Sequence, residues 1–381
     1  MTIQSLPESI ELSGIDGTNP LGFLTALGTI VTLHDAGISQ IKMGWKRTFS
    51  WMPYLIGLKH NDKMKLCTIL ASNLSGKRVT DEAEEKRKDA QREFDHAKKE
   101  LKDKREEIKK RGLRGNDRER AIAEEVNPLE RKFLETRQAR LITLKDAVPH
   151  PELAIGERID CTDEEIRQFE SDFLSEASST NRETLDMVAS FGSDACIDKS
   201  GRISATPFCF ITGSGHQFFL DTVRQLCMDC VTSERIQATL FEPWKYQDEK
   251  LSMRWDPLED RRYALMDRNP TAANNRSRTV WMANLLSYRA LSLFPSAPMG
   301  KHLITTGWNY WDSTFFWPMW EQPIDVDTIR SLLQLPELIS PDIHRTILNA
   351  RGIVVVYRSQ RITVGKPPLH KINFSPSGSI L

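Results

Sequence analysis

The sequence has no surplus of charge. Its 52 lysines and arginines are balanced by 52 aspartates and glutamates over 381 residues. Free-standing nucleic-acid binders are usually basic overall, so the balance argues against one. A chain that touches nucleic acid through a local patch, inside a larger assembly, is still allowed. The cysteines are few and form no framework: Cys67, Cys161, Cys196, Cys209, Cys227 and Cys230 are scattered. "CMDC" is a lone Cys-x-x-Cys inside the apolar helical pattern "FFLDTVRQLCMDCV", which favours buried, inert thiols over metal or redox chemistry. The eight histidines are dispersed without a recognisable ligand set, so no metal is expected. Long apolar runs are missing too. The longest, around Leu21 to Leu33, is about a dozen residues, too short for a bilayer. "MTIQSLPESIEL" lacks a basic segment followed by an apolar one, so no signal peptide is expected. These absences lead to the expectation of a soluble, cytoplasmic protein with no membrane partner.

Complete catalytic motifs are also lacking. In "ITGSGHQFF" a glycine turn stands between a predicted strand and helix, a place where phosphate can bind. A Walker loop needs Lys and Ser or Thr after its last glycine, and here His216 and Gln217 follow. A nucleophile elbow needs Gly-x-Ser-x-Gly, and Gly213-Ser214-Gly215 is one residue short on each side. A tight structural turn is the simpler reading. "DPLEDRRYAL" concentrates carboxylates, but Asp256 and Pro257 resemble a helix start, and Asp260 pairs most simply with Arg261 or Arg262. No catalytic residue and no cofactor are expected.

What is present begins with local signals for an α+β body. "SIELSGIDGTNPLGFLTALGTIVTLHDAG" reads strand, turn, helix. Asn19 is an N-cap, Pro20 takes the first helical position, and Gly37 ends the helix. Gly22, Ala26 and Gly28 make part of its surface small, so another element can approach closely. "ISQIKMGWKR" predicts a second strand beside the first. Thr162 and Glu165 form a capping box ahead of "EEIRQFESDFL". "ATPFCFITGSGHQFFLDTVRQL" predicts strand, glycine turn, helix. "TIRSLLQLPELI" predicts a helix, and "GIVVVYRSQRITVGKPP" a two-stranded ribbon. Nine tryptophans, most of them between Trp244 and Trp320, suggest aromatic surface for partners.

Between Lys77 and Lys145 the composition shifts, to 22 Lys and Arg against 17 Asp and Glu. Ala83, Ala90, Phe94, Ala97, Leu101 and Ile108 recur as a heptad seam interrupted by Lys104. "GLRGND" turns the chain, with Asn116 or Asp117 as the next N-cap. Ile122, Val126, Leu129 and Phe133 repeat the seam, and Pro128 kinks or restarts the second arm. The pattern predicts an antiparallel coiled-coil hairpin with arms of roughly 45 Å, inserted into the body. The predicted domains are therefore 1–76 and 149–381, α+β parts of the body, and 77–148, the hairpin. It is either a solvated arm or a reach toward a protein or a DNA backbone.

The richest stretch for binding is "DRNPTAANNRSRTVWMANLLSYRALSLFP". Arg261, Arg262, Arg268, Asn274, Asn275, Arg276 and Arg278 gather donors suited to phosphate and ribose. Trp255, Tyr263 and Trp281 interleave with them, and aromatic faces stack bases. The competing reading has Asn275 or Ser277 capping the helix of Val280 to Leu291. Lys46, Arg47 and Lys301, each beside aromatic residues, are further candidates.

Three segments together carry a resemblance: "GIDGTNPLGFLTALGTIVTL" with "MGWKR…SWMPYL", "TPFCFITGSGHQFFLDTVRQL", and "WDPLEDRRYALMDRNP…ANLLSYRALSLFPSAPMGKHLITTGW". They resemble the large subunit of type I-G (formerly I-U) CRISPR surveillance (Cascade) complexes. The resemblance implies a non-catalytic subunit at one end of a crRNA-bound backbone, without cofactor. Such a subunit helps recognise the protospacer-adjacent motif, opens the target double-stranded DNA and helps recruit a helicase–nuclease. Its partners would be the other Cascade subunits, crRNA and target DNA. A nuclease or hydrolase accessory enzyme, and a coiled-coil scaffold protein, are the competing functions.

Overall fold

The structure is a computed structural model that describes residues 9–58, 62–174, 179–211, 217–259, 278–340, 345–364 and 371–380. The chain is mixed α+β and divides into two compact units, Met1–Gly76 with Glu157–Leu381, and Lys77–Gly156.

The first unit opens with β1 (Ile10–Glu11), α1 (Pro20–Asp35), β2 (Lys42–Arg47), β3 (Trp51–Ile56) and α2 (Lys63–Ser75). Asn19 Oδ1 accepts from the Leu21 N–H at 2.8 Å and Pro20 follows it, so the cap is built as the residues require. Gly37 leaves the helix at φ 89°, a conformation glycine adopts freely. The strands form an antiparallel sheet in the order β1-β3-β2. The predicted pairing of the first two strands is therefore corrected: β3 lies between them. Its signal is masked by Pro53, a residue rare in central strands because it has no N–H to donate. Here the Pro53 carbonyl still accepts from Leu12 N at 2.9 Å.

The second unit holds α3 (Asp81–Lys110), α4 (Gly115–Ala121) and α5 (Asn127–Asp146), with a π-helical turn over Ile122–Val126. The two long helices run antiparallel: Gln91 meets Arg140, Phe94 meets Phe133, and Glu100 meets Lys132. Leu101, Ile108, Ala121 and Val126 form an apolar cluster, flanked by Leu113, Ile122, Leu129 and Phe133. Lys104 escapes that seam by pairing with Glu107 and Glu125. Pro128 falls in the first turn of α5, where its missing N–H costs no helical hydrogen bond. Arg114, not Asn116 or Asp117, holds the N-cap position of α4, without a side-chain cap bond.

The first unit resumes with α6 (Asp163–Leu174), α7 (Ser179–Phe191), α8 (Phe219–Gln225), α9 (Ser233–Phe241), β4 (Asp248–Glu249) and β5 (Arg278–Thr279). After these come α10 (Trp281–Arg289), β6 (Ser296–Met299), β7 (His302–Thr305), β8 (Trp308–Asn309), β9 (Thr314–Trp320), α11 (Val326–Leu333) and α12 (Arg345–Ala350). The described chain ends with β10 (Ile353–Val364), β11 (Lys371–Phe374) and β12 (Gly378–Ser379). Thr162 and Glu165 make the reciprocal capping pair before α6. Two expectations fail. Residues 206–211 form no strand; Phe208 and Phe210 are buried from turn conformations. "IVVVYRSQRITV" is one strand, β10, paired with β9 over its first part and β11 over its last. Its polar middle faces partners instead of turning.

The core of this unit is α1 against α10. The hydrophobic face of α1 has no solvent side: Pro20 to Leu33 are all buried, the condition of a helix apolar all round. Contact is closest at Gly28, where a Cβ would lie 1.6 Å from the Leu286 carbonyl oxygen. Thr25 Oγ1 donates to Leu21 O and lies 3.1 Å from Ser287 Oγ, so the polar groups at the contact are satisfied. Arg289 and Asp35 pair at 2.8 Å beside it, both almost fully buried.

Candidate nucleic-acid interface

Seven of the ten candidate binding residues, Arg261, Arg262, Arg268, Asn274, Asn275 and Arg276 among them with Arg278 at their edge, come from one stretch; the first six lie outside the described residues, as do Asp260, Tyr263 and Ser277. Arg278 is placed in β5, opposite Glu249 of β4, with its guanidinium 3.9 Å from that carboxylate. The helix after it, α10, is capped from a distance. Asp248 Oδ2 accepts from the Trp281 N–H at 2.8 Å, a role expected of a nearer residue. Asp248 also holds Arg235 at 2.9 Å, and the Arg235 guanidinium lies 4.6 Å over the Trp281 ring. That face of Trp281 already carries a cation.

The stacking role of Trp255 is corrected. Trp255 is fully buried, donates to Phe208 O at 2.9 Å, and meets Phe208 and Phe219 edge-on. Trp308, Trp317 and Trp320 are buried as well. Their large rings fill the space between β9, α1 and the 206–211 turn: Phe23 packs on Trp45 and Trp317, and Phe208 on Trp308 and Phe315. The aromatic density of this half is core, not partner surface. Trp311, 79% exposed on the loop between β8 and β9, and the adjacent Tyr310 are exposed.

Lys46 and Arg47 end β2, and with Thr48, Phe49 and Ser50 they make the tip of the β2–β3 hairpin. Thr48 N donates to Ser50 O at 2.8 Å and closes the turn. Lys46 Nζ donates to Glu11 Oε1 at 2.6 Å, and that bond holds its ammonium above the usual lysine range. Phe49 projects fully into solvent at this tip. The sequence reading overlooked it, although a phenylalanine in "KRTFS", among polar residues, was a legible signal.

Lys301 stands at the β6–β7 turn, beside Gly300 at φ 62°. It lines a cavity of about 280 Å³ with Ser204, His302, Trp308, Tyr310 and Arg361 among its walls. Tyr310 Oη and His302 Nδ1 are hydrogen-bonded at 2.7 Å, and Trp311 meets the Tyr310 ring edge-on. Arg361 is not legible as a binding residue in the sequence, because within the predicted ribbon "GIVVVYRSQRITVGKPP" nothing marks it off from its neighbours.

The carboxylates near Asp256 form a buried network instead of an open site. Asp256 Oδ1 accepts from Asn19 Nδ2 at 2.8 Å and from Leu258 N at 2.8 Å, and Oδ2 from Tyr246 Oη at 2.7 Å. Glu259 is fully enclosed and accepts from Ser252 Oγ and Thr279 Oγ1. Asn284 completes the network, donating to Thr279 Oγ1 and accepting from Met253 N. Burial, then the neighbouring Asp256 carboxylate, push Glu259 up to about 8; burial pushes Asp256 up as well, against its three donors. Both groups are shut from solvent, so they lack the access that acid–base work on a substrate requires.

All six cysteines are buried and free. Burial holds Cys67 and Cys230 up to about 11 and Cys209 up to about 12, far from reactive thiolates. Among the described residues no group of three or more His, Cys, Asp or Glu is placed to hold a metal ion, and no helix is long and apolar enough to cross a membrane. No protein-family model matches the chain, and no curated protein matches it at a significant level.

Proposed function

We propose that the chain is the non-catalytic large subunit of a CRISPR RNA-guided DNA surveillance complex of the type I-G kind, acting in the cytoplasm. It binds crRNA and target double-stranded DNA, helps recognise the protospacer-adjacent motif and helps recruit the helicase–nuclease. The observation that carries the reading is how the three resembling segments meet. Gly28 of the first packs on Leu286 of the third, and Phe208 of the second packs on Trp255 and Trp308 of the third. The three segments that carry the resemblance thus meet in one core.

Two surfaces support nucleic-acid contact. The β2–β3 tip places Phe49 in solvent just after Lys46 and Arg47, and apolar side chains of this kind insert between base steps in DNA-bending proteins. The exposed Trp311 and Lys301 lie on the β6–β9 side of the body. In the same reading Arg278 and the preceding residues of the Arg/Asn stretch track a phosphate backbone, and the α3–α5 pair is an antiparallel coiled coil that reaches a partner.

The test is target-DNA binding by the assembled complex across several salt concentrations. Each phosphate contact removed should take about one unit from the slope of log affinity against log salt. Changing Lys46 and Arg47 together to Ala should weaken binding and flatten that slope, with an unchanged melting temperature. An unchanged affinity and slope would contradict contact at this tip.

A further inference from the structure

The cavity behind the β6–β7 hairpin has an unusual lining. Three of its walls carry Lys301, His302 and Arg361, and among the described residues no Asp or Glu lines it. Asp312, next to the lining residue Ser313, turns its Oδ1 to the Thr314 N–H at 3.1 Å. Arg361 is largely desolvated. It donates through Nη2 to the Cys209 carbonyl at 3.2 Å and lies 5.2 Å over the Phe210 ring. No carboxylate pairs with it among the described residues. A guanidinium has five N–H donors, so donors remain after that one bond. Burial without a counter-charge holds its affinity for a proton below the usual arginine range.

The other walls specify more than an anion. Trp308 and Tyr310 line the cavity, and His302 is fixed against Tyr310 with ring centroids 4.9 Å apart. Trp311 continues the aromatic surface outward, its ring 5.2 Å from that of Tyr310. The position is pinned from behind. Arg361 N donates to Ser313 O at 2.9 Å, and Gln360 Nε2 to Asp312 O at 3.0 Å, so β10 holds the β8–β9 loop that carries the aromatics. The loop is closed by Ser313 at φ 54°, a conformation uncommon for a residue other than glycine. A volume of about 280 Å³ is near the lower end of small-molecule sites.

We propose that this cavity binds one nucleotide unit, with its phosphate between Lys301 and Arg361 and its base on the Tyr310–Trp311 surface. Guanidinium and ammonium groups take phosphate oxygens, and any base offers a face to an aromatic ring. Asn309 and Ser204, both in the lining, supply polar groups for base or sugar edges. The unit is available from two sources, a free nucleoside monophosphate or an unpaired nucleotide of a strand. The inference goes beyond the proposed function, because a site for one nucleotide on this chain requires neither crRNA nor other subunits.

The purified full chain is titrated with dTMP, thymidine, inorganic phosphate and a 5′-phosphorylated single-stranded thymidine tetramer, followed by calorimetry and by tryptophan fluorescence. Saturable binding is expected for dTMP, at least tenfold tighter than for thymidine or phosphate. If the natural source is a strand, the tetramer binds tighter than dTMP; if it is the free nucleotide, the tetramer binds no better. Tyr310→Ala should weaken dTMP binding about tenfold or more, through the lost stacking face. Lys301→Ala should weaken dTMP more than thymidine. Both residues are on the surface side of the cavity, so the melting temperature should hold. Arg361→Gln is read only with a melting curve beside it, and the two exposed variants keep the test decisive if it unfolds. Absence of dTMP binding at millimolar concentration would overturn the proposal. So would equal binding of thymidine and dTMP, or wild-type affinity in both Lys301→Ala and Tyr310→Ala.

Discussion

At the scale of single residues, the most consequential groups are those whose environment departs from their ordinary chemistry. Glu259 is one. Its acidity in the fold lies near 8, against an ordinary value of 4.5, because burial and the Asp256 carboxylate both oppose its charge. The folded chain therefore keeps a proton that the unfolded chain has released. Stability from this group is fully present below about pH 4.5, declines as the pH rises, and levels off above about 8. The loss is at most about 1.4 kcal/mol per pH unit. Glu259→Gln keeps the size and the hydrogen-bonding reach toward Ser252 and Thr279 without the titration. Thermal melts of both proteins between pH 5 and 9 should diverge, with the wild type losing stability and the variant nearly flat over that range. Parallel curves would mean that Glu259 does not carry the proton assigned to it.

At the scale of elements, legibility in the sequence followed the range of the interactions. The Asn19–Pro20 start of α1, the Thr162–Glu165 pair and the seam of α3 are local. The two caps are set by neighbours within a few positions and are found in the structure where the residues indicate, and Leu101 and Ile108 of α3 are buried as their spacing suggests. The errors arise where a distant residue decides. Nothing near Trp281 announces that Asp248 caps α10. Nothing in "YRSQR" says that β9 will keep it extended. The central place of β3 is hidden by its own proline. The candidate site follows the same rule. Lys301 was visible as a cation beside aromatics, but its partner in the cavity, Arg361, is sixty positions away and reaches it only through the β9–β10 pairing.

The α3–α5 hairpin gives the prediction at this scale. Its apolar cluster and its ion pairs are shared between its own helices, and Lys77 N bonds Pro149 O at 2.8 Å across its base. Replacing residues 82–144 with a short Gly-Ser loop should leave the body with a single cooperative melt. The change in midpoint should be a few degrees, since a long flexible loop adds little closure entropy to a fold. Loss of the cooperative transition, read by calorimetry, would show that the body depends on the arm.

For the whole molecule, the balance of charge, the buried thiols and the carboxylates enclosed near Asp256 and Glu259 are features of the described body. Among its exposed features in the described residues are Phe49 at the β2–β3 tip, the cavity lined by Lys301 and Tyr310, and the α3–α5 arm. The central claim is that the chain is a subunit of an RNA-guided complex. The direct measurement is the native mass of what co-purifies with the tagged chain when it is expressed with its genomic neighbours and a guide RNA, before and after ribonuclease treatment. The account predicts a discrete multi-subunit particle that contains the guide RNA and loses this chain or falls apart when the RNA is digested. A chain that purifies alone, or with partners whose association is indifferent to RNA, would contradict it.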